Sequence, residues 1–415
     1  MFEYFLTYNR YASLIAIPII MLLAYLLSLD RKKISWTLVG RGLVLHGVFA
    51  LVMLRTTIGM RVVGFVSGGV ASLYHAAQTG IEFVFGNLAS AQTAWGFVFA
   101  IQVLPVLIFF GACMNLLFYF GIIQRIVGGL NLIIQPFLGT SGAETLCAIA
   151  NSFLDQTGAP LLVKQYLPGM TRSELFVVMV SGMATISGAI LVVFAAMGVP
   201  IRHLLASCVM SIPASIVVAK IICPETEISA SGRSVATHVD TKSANALDAI
   251  AQGTQDGLQL ALAIGAMLIS FISLMSLCNM GLSKISDILA MVSGYQILLS
   301  IELLLSYLFS PFGYLLGLTG PDALKAGQLI GTKVALNEVI AYGQLVNMNL
   351  PERAVDILTY ALCGFSNISC IGIQIGAIGT LVPSRRVWIT QLGLRAVCAA
   401  TLANLLSAVV ANLIL

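Results

Sequence analysis

The chain is predicted to be an all-α polytopic membrane protein with eight transmembrane helices, two re-entrant hairpins forming an inverted repeat, and interfacial helices. Three observations predict this. Of its 415 residues, 59% are hydrophobic and 9% charged, against about a quarter charged in a soluble domain. Mean hydropathy is +0.98, and apolar runs approaching the roughly 20 residues of a bilayer crossing recur along the chain. Finally, two interrupted stretches repeat each other, Gly139-Thr140-Ser141-Gly142-Ala143-Glu144-Thr145-Leu146 and Gly317-Leu318-Thr319-Gly320-Pro321-Asp322-Ala323-Leu324. Each follows a Pro-Phe pair (Pro136-Phe137, Pro311-Phe312) and leads to a polar tip, Asp155-Gln156-Thr157-Gly158 in the first and Asn337-Glu338 in the second. Beyond each tip an apolar helix carries a polar break, Thr185-Ile186-Ser187-Gly188 and Asn367-Ile368-Ser369-Cys370. Such pairs mark inverted repeats around a midplane binding site, an architecture of secondary transporters.

The elements follow in order. Tyr11–Leu29 is a first span: Glu3 and Arg10 precede it and Arg31-Lys32-Lys33 follow, which suits an outside N-terminus and not a cleavable signal. Thr37–Leu54 is a second span. Thr56–Ala94, Gly-rich and mixed with Arg61, His75 and Glu82, reads as a helix lying at the interface. Trp95–Tyr119 spans, and Ile123–Gln135 is again interfacial before the first hairpin. Glu174–Met197 and His203–Ile222 span, and Pro224–Lys242 is a polar loop. Ala244–Gln255 reads as amphipathic, Gln259–Met280 as a span and Ser283–Met291 as interfacial. Gln296–Leu318 is apolar enough to cross, yet Pro311-Phe312 matches the approach to the first hairpin and assigns it to the second. Val355–Val382 and Val387–Leu415 are the last spans. This count puts Arg31-Lys32-Lys33, Lys164/Arg172, Lys220/Arg233/Lys242 and Arg385-Arg386 on the cytoplasmic side and both termini outside. The first hairpin then opens from the cytoplasm and the second from outside.

Several function classes fall away. A net charge of +4, small and scattered, gives nucleic-acid binding no support. The eight cysteines lack CxxC spacing and the four histidines do not cluster with them, so they read as small buried side chains. There is no GxxxxGK[ST] for ATP, and no HExxH or Ser/His/Asp arrangement for an intramembrane protease. A channel would need a continuous polar stripe; the Gly-rich breaks oppose one.

Ionisable groups within a bilayer cost roughly 2.5–3.5 kcal/mol each, so those retained need partners or a task. Glu338, at the second tip between apolar neighbours, can accept hydrogen bonds from sugar hydroxyls or hold a cation or proton; the competing role is structural, paired with Lys333 or backbone N–H groups. Glu144 and Asp322 open the two hairpins, where helix capping is the simplest role. Asn151, Gln156 and Thr157 can read a planar ligand edge, and Gly158-Ala159-Pro160 would start the return arm. Asp155 can cap that arm, pair with Lys164 or face a ligand. Thr185, Asn367 and Ser369 lie at the helix breaks, where freed backbone groups need a ligand, ion or neighbour. Glu302 has no evident role, and Arg385-Arg386 reads as an anchor.

Three motifs then carry a resemblance: Gln156-Thr157 followed by Ala159-Pro160-Leu161-Leu162; Leu336-Asn337-Glu338-Val339 followed by Ala341-Tyr342; and Gly364-Phe365-Ser366-Asn367-Ile368-Ser369-Cys370-Ile371-Gly372-Ile373-Gln374. From about Trp95 to the C-terminus the chain resembles the concentrative nucleoside transporter family, and Asp30-Arg31-Lys32-Lys33 looks like its bacterial members. The resemblance implies a homotrimer in the inner (plasma) membrane, with a scaffold and an outer transport domain moving as an elevator. It divides the chain into scaffold (1–118), first transport repeat (119–257), scaffold helix (258–282) and second transport repeat (283–415). It implies cation-coupled nucleoside import, with Gln156 and Thr157 facing the base and Glu338, Asn367 and Cys370 the ribose. Gly158 and Ser369 complete the expected substrate-facing set. A sodium site would take the side chains of Asn151 and Thr185 and carbonyls near Leu154 and Ile186. The chain departs from the family at the first tip, commonly Gly-Gln-Thr-Glu or Gly-Gln-Ser-Glu, here Asp155-Gln156-Thr157-Gly158. Cys370 stands where a ribose-contacting Ser is common. A proton-coupled carrier of nucleobases or modified nucleosides is the alternative.

Overall fold

The computed structural model describes residues 9–90, 96–227, 229, 243–293 and 299–415, with the side chains of 289, 292 and 293 excepted. Glu3, Arg233, Lys242, Ala94, Trp95, Gln296 and most of the loop expected at Pro224–Lys242 lie outside them.

Apolar runs become helices whose ends are set by nearby polar residues and glycines. The first is α1 (Arg10–Leu26). Ser35 starts α2 (Trp36–Arg55), its Oγ accepting from Leu38 N at 3.4 Å. Thr56 caps α3 (Thr57–Phe85) through Gly59 N at 3.0 Å. After Pro105 comes α4 (Val106–Tyr119), then α5 (Ile122–Leu138), which stops at Gly139 in left-handed geometry (φ 74°). Ser141 and Glu144 close a capping box on α6 (Gly142–Ala150), which bears out capping for Glu144. Thr171 and Glu174 form another box on α7 (Arg172–Ala184), followed by α8 (Gly188–Ala196) and α9 (Ile201–Ile222). The remainder comprises α10 (Ala246–Ser293), α11 (Ile301–Leu315), α12 (Gly320–Ala335), α13 (Glu338–Asn347), α14 (Glu352–Leu362), α15 (Ser369–Leu381) and α16 (Arg386–Ile414). Asp322 lies in the first turn of α12 and pairs with Lys325 at 3.7 Å.

The main departure from expectation is α10. Ala244–Gln255, Gln259–Met280 and Ser283–Met291 were expected as three pieces; from Ala246 onward they form one 48-residue helix. The positions left between these pieces, 256–258 and 281–282, continue the helix. The helix also runs through the expected domain boundaries at 257/258 and 282/283. Val355–Val382 is two helices, α14 and α15, parted at Cys363–Ile368, close to the polar break expected at Asn367–Cys370. Among the described residues seven helices are long and apolar enough to cross a membrane, and α11 with α12, bent by 114° at their junction, adds one if counted as a single span. The helical segment Thr57–Ala89 is among the seven, so its length suits a crossing as well as an interfacial position.

Burial divides the helices. The most apolar windows of Arg172–Ala196 and Ile201–Ile222 are 89% buried, those of Thr57–Ala89 and Ala246–Ile288 only 11%. The core is therefore built around α7, α9 and α16, which pack on one another, while α14 packs on α16. Outside it, α4 lies along α10 with backbones in contact: a Cβ on Gly111, Gly253 or Gly257 would collide with the opposite main chain. This is close small-residue packing of the kind membrane helices use. Asn279 of α10 accepts from Ile301 N at 2.8 Å and donates to Glu302 at 2.9 Å, which explains the acid that had no evident role.

Candidate functional site

Two helix breaks build the site. Beyond Ala184 the chain leaves helical geometry at Thr185 (φ −129°, ψ 170°), and Ser187 restarts it by accepting from Ile190 N at 3.4 Å. The second break, between α14 and α15, is organised by Asn367. Its Oδ1 accepts from Ser369 Oγ at 2.6 Å and Cys370 N at 3.0 Å, and its Nδ2 donates to Glu338 Oε2 at 3.0 Å. With a backbone N–H as donor on one side, the amide has one orientation.

Glu338 arrives from the second tip. Asn337 caps α13 by accepting from Ile340 N at 2.9 Å, and Glu338 is the first residue of that helix. A carboxylate there is favoured by the helix dipole. It is 4% exposed. Lys333, its alternative partner, turns elsewhere and donates to Ala361 O at 3.0 Å and Asn404 Oδ1 at 2.7 Å.

The first tip is held by Asp155. Its Oδ1 accepts from Thr157 N at 3.1 Å, Thr157 Oγ1 at 2.7 Å and Gly158 N at 2.5 Å. Of the three roles open to Asp155, turn capping is the one its bonds fulfil. Gln156 reaches across to α15: Nε2 donates to Cys370 Sγ at 3.4 Å, while Oε1 accepts from Gln374 at 3.5 Å. Gln374 also donates to Met179 O at 2.8 Å. It closes the third resemblance motif, where no role was assigned to it.

Gln156, Thr157, Glu338, Asn367, Ser369 and Cys370 line one cavity of ≈ 180 Å³. Of the expected substrate-facing residues Gly158 alone does not line it, and Asp155 does. Leu260, Ile264, Met267 and Leu268 of α10 form an apolar wall, and Phe365 adds an aromatic ring that the motif contained without a role. The arrangement offers donors, acceptors and two carboxylates, Glu338 and the tip-capping Asp155, against an apolar face, which suits a small polar ligand with a flat ring.

Asn151, Thr185, Leu154 and Ile186 lie at the first tip and first break. Asn151 Nδ2 donates to Ser181 Oγ at 3.0 Å, and Ser181 Oγ in turn donates to Val178 O at 3.1 Å. Because that carbonyl can only accept, Ser181 must accept from Asn151, and Asn151 must turn its NH₂ this way. Its Oδ1 is left buried without a protein partner, at 1% residue exposure. An orphaned carbonyl oxygen in the first hairpin fits a hard cation; of the other expected ligands, Ile186 O accepts from Thr185 Oγ1 at 3.4 Å and Cys208 Sγ at 3.9 Å. No group of three or more His, Cys, Asp or Glu suited to a metal occurs among the described residues, so a transition metal does not fit.

Apolar broken helices with polar tips meeting at a buried cavity define a membrane transporter. The chain belongs to the Na⁺ dependent nucleoside transporter family: residues 15–88 match its N-terminal part and 203–412 its C-terminal part, and residues 100–200 match the description "Nucleoside recognition". It is 40% identical over 410 residues to an uncharacterized transporter of Haemophilus influenzae, covering 97% of each chain. It is 36% identical to the nucleoside permease NupC of Helicobacter pylori, again over 97% of each. The structure of CNTnw in an inward-facing substrate-bound state superposes with a TM-score of 0.90 at 35% identity, covering 97% of this chain and 98% of that one. A CNTnw variant in an outward-facing state also matches with a TM-score of 0.90, at 34% identity over 98% and 97% of the two chains.

Proposed function

We propose that the chain imports nucleosides by cation-coupled alternating access, with the hairpin tips and helix breaks holding the ligand between them. The observation that carries this is the convergence of Gln156, Glu338 and Asn367, from three separate elements, on one cavity. Glu338 and Asn367 serve the ribose hydroxyls, Cys370 and Ser369 lie beside them, and Gln156 and Thr157 serve the base. The membrane arrangement is eight crossings and two re-entrant hairpins, α6 with its return arm and α12 with α13. Both termini lie outside the inner membrane. The protein works as a homotrimer whose transport domain moves past a scaffold containing α4 and α10. Counterflow of labelled nucleoside in liposomes tests the reading: exchange of external label against trapped nucleoside is expected, and none would exclude a carrier.

Sodium is the proposed coupling ion, supported by the free Asn151 Oδ1. Asn151→Ala is expected to raise the sodium concentration for half-maximal uptake by about tenfold, the equivalent of ~1.4 kcal/mol from one lost ligand. Unchanged sodium dependence would remove Asn151 from the site. Uptake that ignores sodium and collapses with the pH gradient would decide for a proton and for the alternative carrier.

Base selectivity is proposed to differ from that of relatives with an acid in place of Gly158. A side chain at this position would meet Asp155 Oδ1 at 3.1 Å, and no left-handed backbone opposes it. Gly158→Glu is therefore expected to fold and to change the order of competition among uridine, cytidine, adenosine and guanosine. A lost acceptor at a base edge is a source of discrimination. An unchanged order in both Gly158→Glu and Asp155→Gly would show that the tip does not read the base.

A further inference from the structure

Both helix breaks end on one amide. Asn404, from α16, donates from Nδ2 to Ala184 O at 2.6 Å and to Cys363 O at 2.8 Å. Its Oδ1 accepts from Lys333 Nζ at 2.7 Å and Ser366 Oγ at 3.4 Å. A carboxamide has two donor hydrogens and two acceptor lone pairs, so Asn404 is saturated and cannot flip. Asn404 and Lys333 are fully buried.

The place of these contacts matters. Ala184 is the last residue of α7 and precedes Thr185; Cys363 follows α14, two residues before cavity-lining Phe365; Lys333 lies in the last turn of α12, five residues before Glu338. The carbonyl ends of α7 and α14 thus meet at one point, where a positive group is favoured by both helix dipoles. Lys333 supplies it, bonding Ala361 O directly and reaching Ala184 through Asn404. The two breaks also touch: a Cβ on Gly364 would lie 2.6 Å from Asn404 Oδ1 and 2.9 Å from the Ala184 carbonyl carbon. Val334 O accepts from Ile368 N at 3.2 Å and fastens the second hairpin to the second break.

We propose that Asn404 and Lys333 are positioning residues that couple the cation site to the nucleoside site. A cation at the first break fixes the Ala184–Ile186 main chain. Asn404 passes that geometry to the second break, and Lys333 passes it to the tip bearing Glu338. The coupling is reciprocal, as linkage requires: nucleoside bound at Glu338 and Asn367 tightens the cation site by the same factor. This rests on the sodium-coupled reading above and adds the route between its two sites.

The test measures the nucleoside Kd of purified protein with and without sodium, and takes the ratio. Asn404→Asp keeps the acceptor for Lys333 and the side-chain volume but removes both N–H donors. Lys333→Met removes the charge. Gly364→Ala wedges the breaks apart and serves if either of the others fails to fold. In each variant that gives a cooperative melt, the ratio is expected to fall at least about tenfold towards unity. A merely structural role would lower the melting temperature and weaken binding equally with and without sodium; an unchanged ratio overturns the inference. Asn151→Ala separates the failures. If it removes the sodium effect while Asn404→Asp and Lys333→Met retain it, the coupling route is wrong and the cation site stands. If the wild type shows no sodium effect at all, both fall together.

Discussion

Glu338→Ala is expected to abolish nucleoside uptake and to weaken nucleoside binding by about 100- to 10,000-fold. Hydrogen bonds to a charged group are worth roughly 1.5–3 kcal/mol each, and a carboxylate can take two from a ribose. The substitution also leaves Asn367 Nδ2 without its acceptor in a buried site. Glu338→Gln keeps one oxygen for Asn367 and replaces the other, with the charge, by an NH₂ donor, so it is expected to fall between wild type and Ala. Binding of ribonucleosides and their 2′- and 3′-deoxy counterparts to purified protein supplies the readout. Wild-type affinity in Glu338→Ala would end the ribose assignment; equal affinity for all three sugars would show that Glu338 reads something else.

Lys220→Met is expected to cost about 3–5 kcal/mol of stability, the penalty for breaking a buried ion pair by removing one partner. Lys220 is 5% exposed. Its ammonium lies 2.8 Å from Glu144 and 3.2 Å from Glu225, and donates to Ser173 at 3.0 Å. It therefore joins the start of the first hairpin, the first turn of α7 and the end of α9. Without it Glu144 is a buried anion held only by its capping contacts with Ser141. Thermal melts in detergent check this, with Lys220→Met/Glu144→Gln expected to regain part of the loss. A melting temperature equal to wild type in the single variant would mean that the Glu144 charge needs no counter-ion.

Much of this site was legible in the chain. The breaks at Thr185 and Asn367, the tips at Gln156 and Glu338, and the cap at Glu144 all depend on residues within a few positions of one another, which local pattern exposes. Asn404 left no such trace. It is one amide in a long apolar helix, and its partners Ala184 and Lys333 are 220 and 71 residues away. Gln374 stood in a motif, but its role was unread for the same reason, with Met179 at a separation of 195. Lys333 was legible as a charge, but its proximity in sequence to Glu338 suggested the wrong partner. The continuity of α10 was hidden by its change from amphipathic (Ala244–Gln255) to apolar (Gln259–Met280) and back (Ser283–Met291), because such a change looks the same whether a helix ends or runs on with one wet face.

The polar wall of the cavity is already arranged before any ligand arrives. Thr157 is held by Asp155, Gln156 by Gln374 and Cys370, and Glu338 by Asn367. Freezing a flexible side chain on binding costs roughly 0.5–1.5 kcal/mol; here folding has already met much of that entropic cost. What remains against association is mainly the ligand's own lost tumbling and the water stripped from it. A rigid set of donors and acceptors has a second effect: it cannot re-form around an ill-matched molecule, so each mismatch leaves a group dry and unbonded.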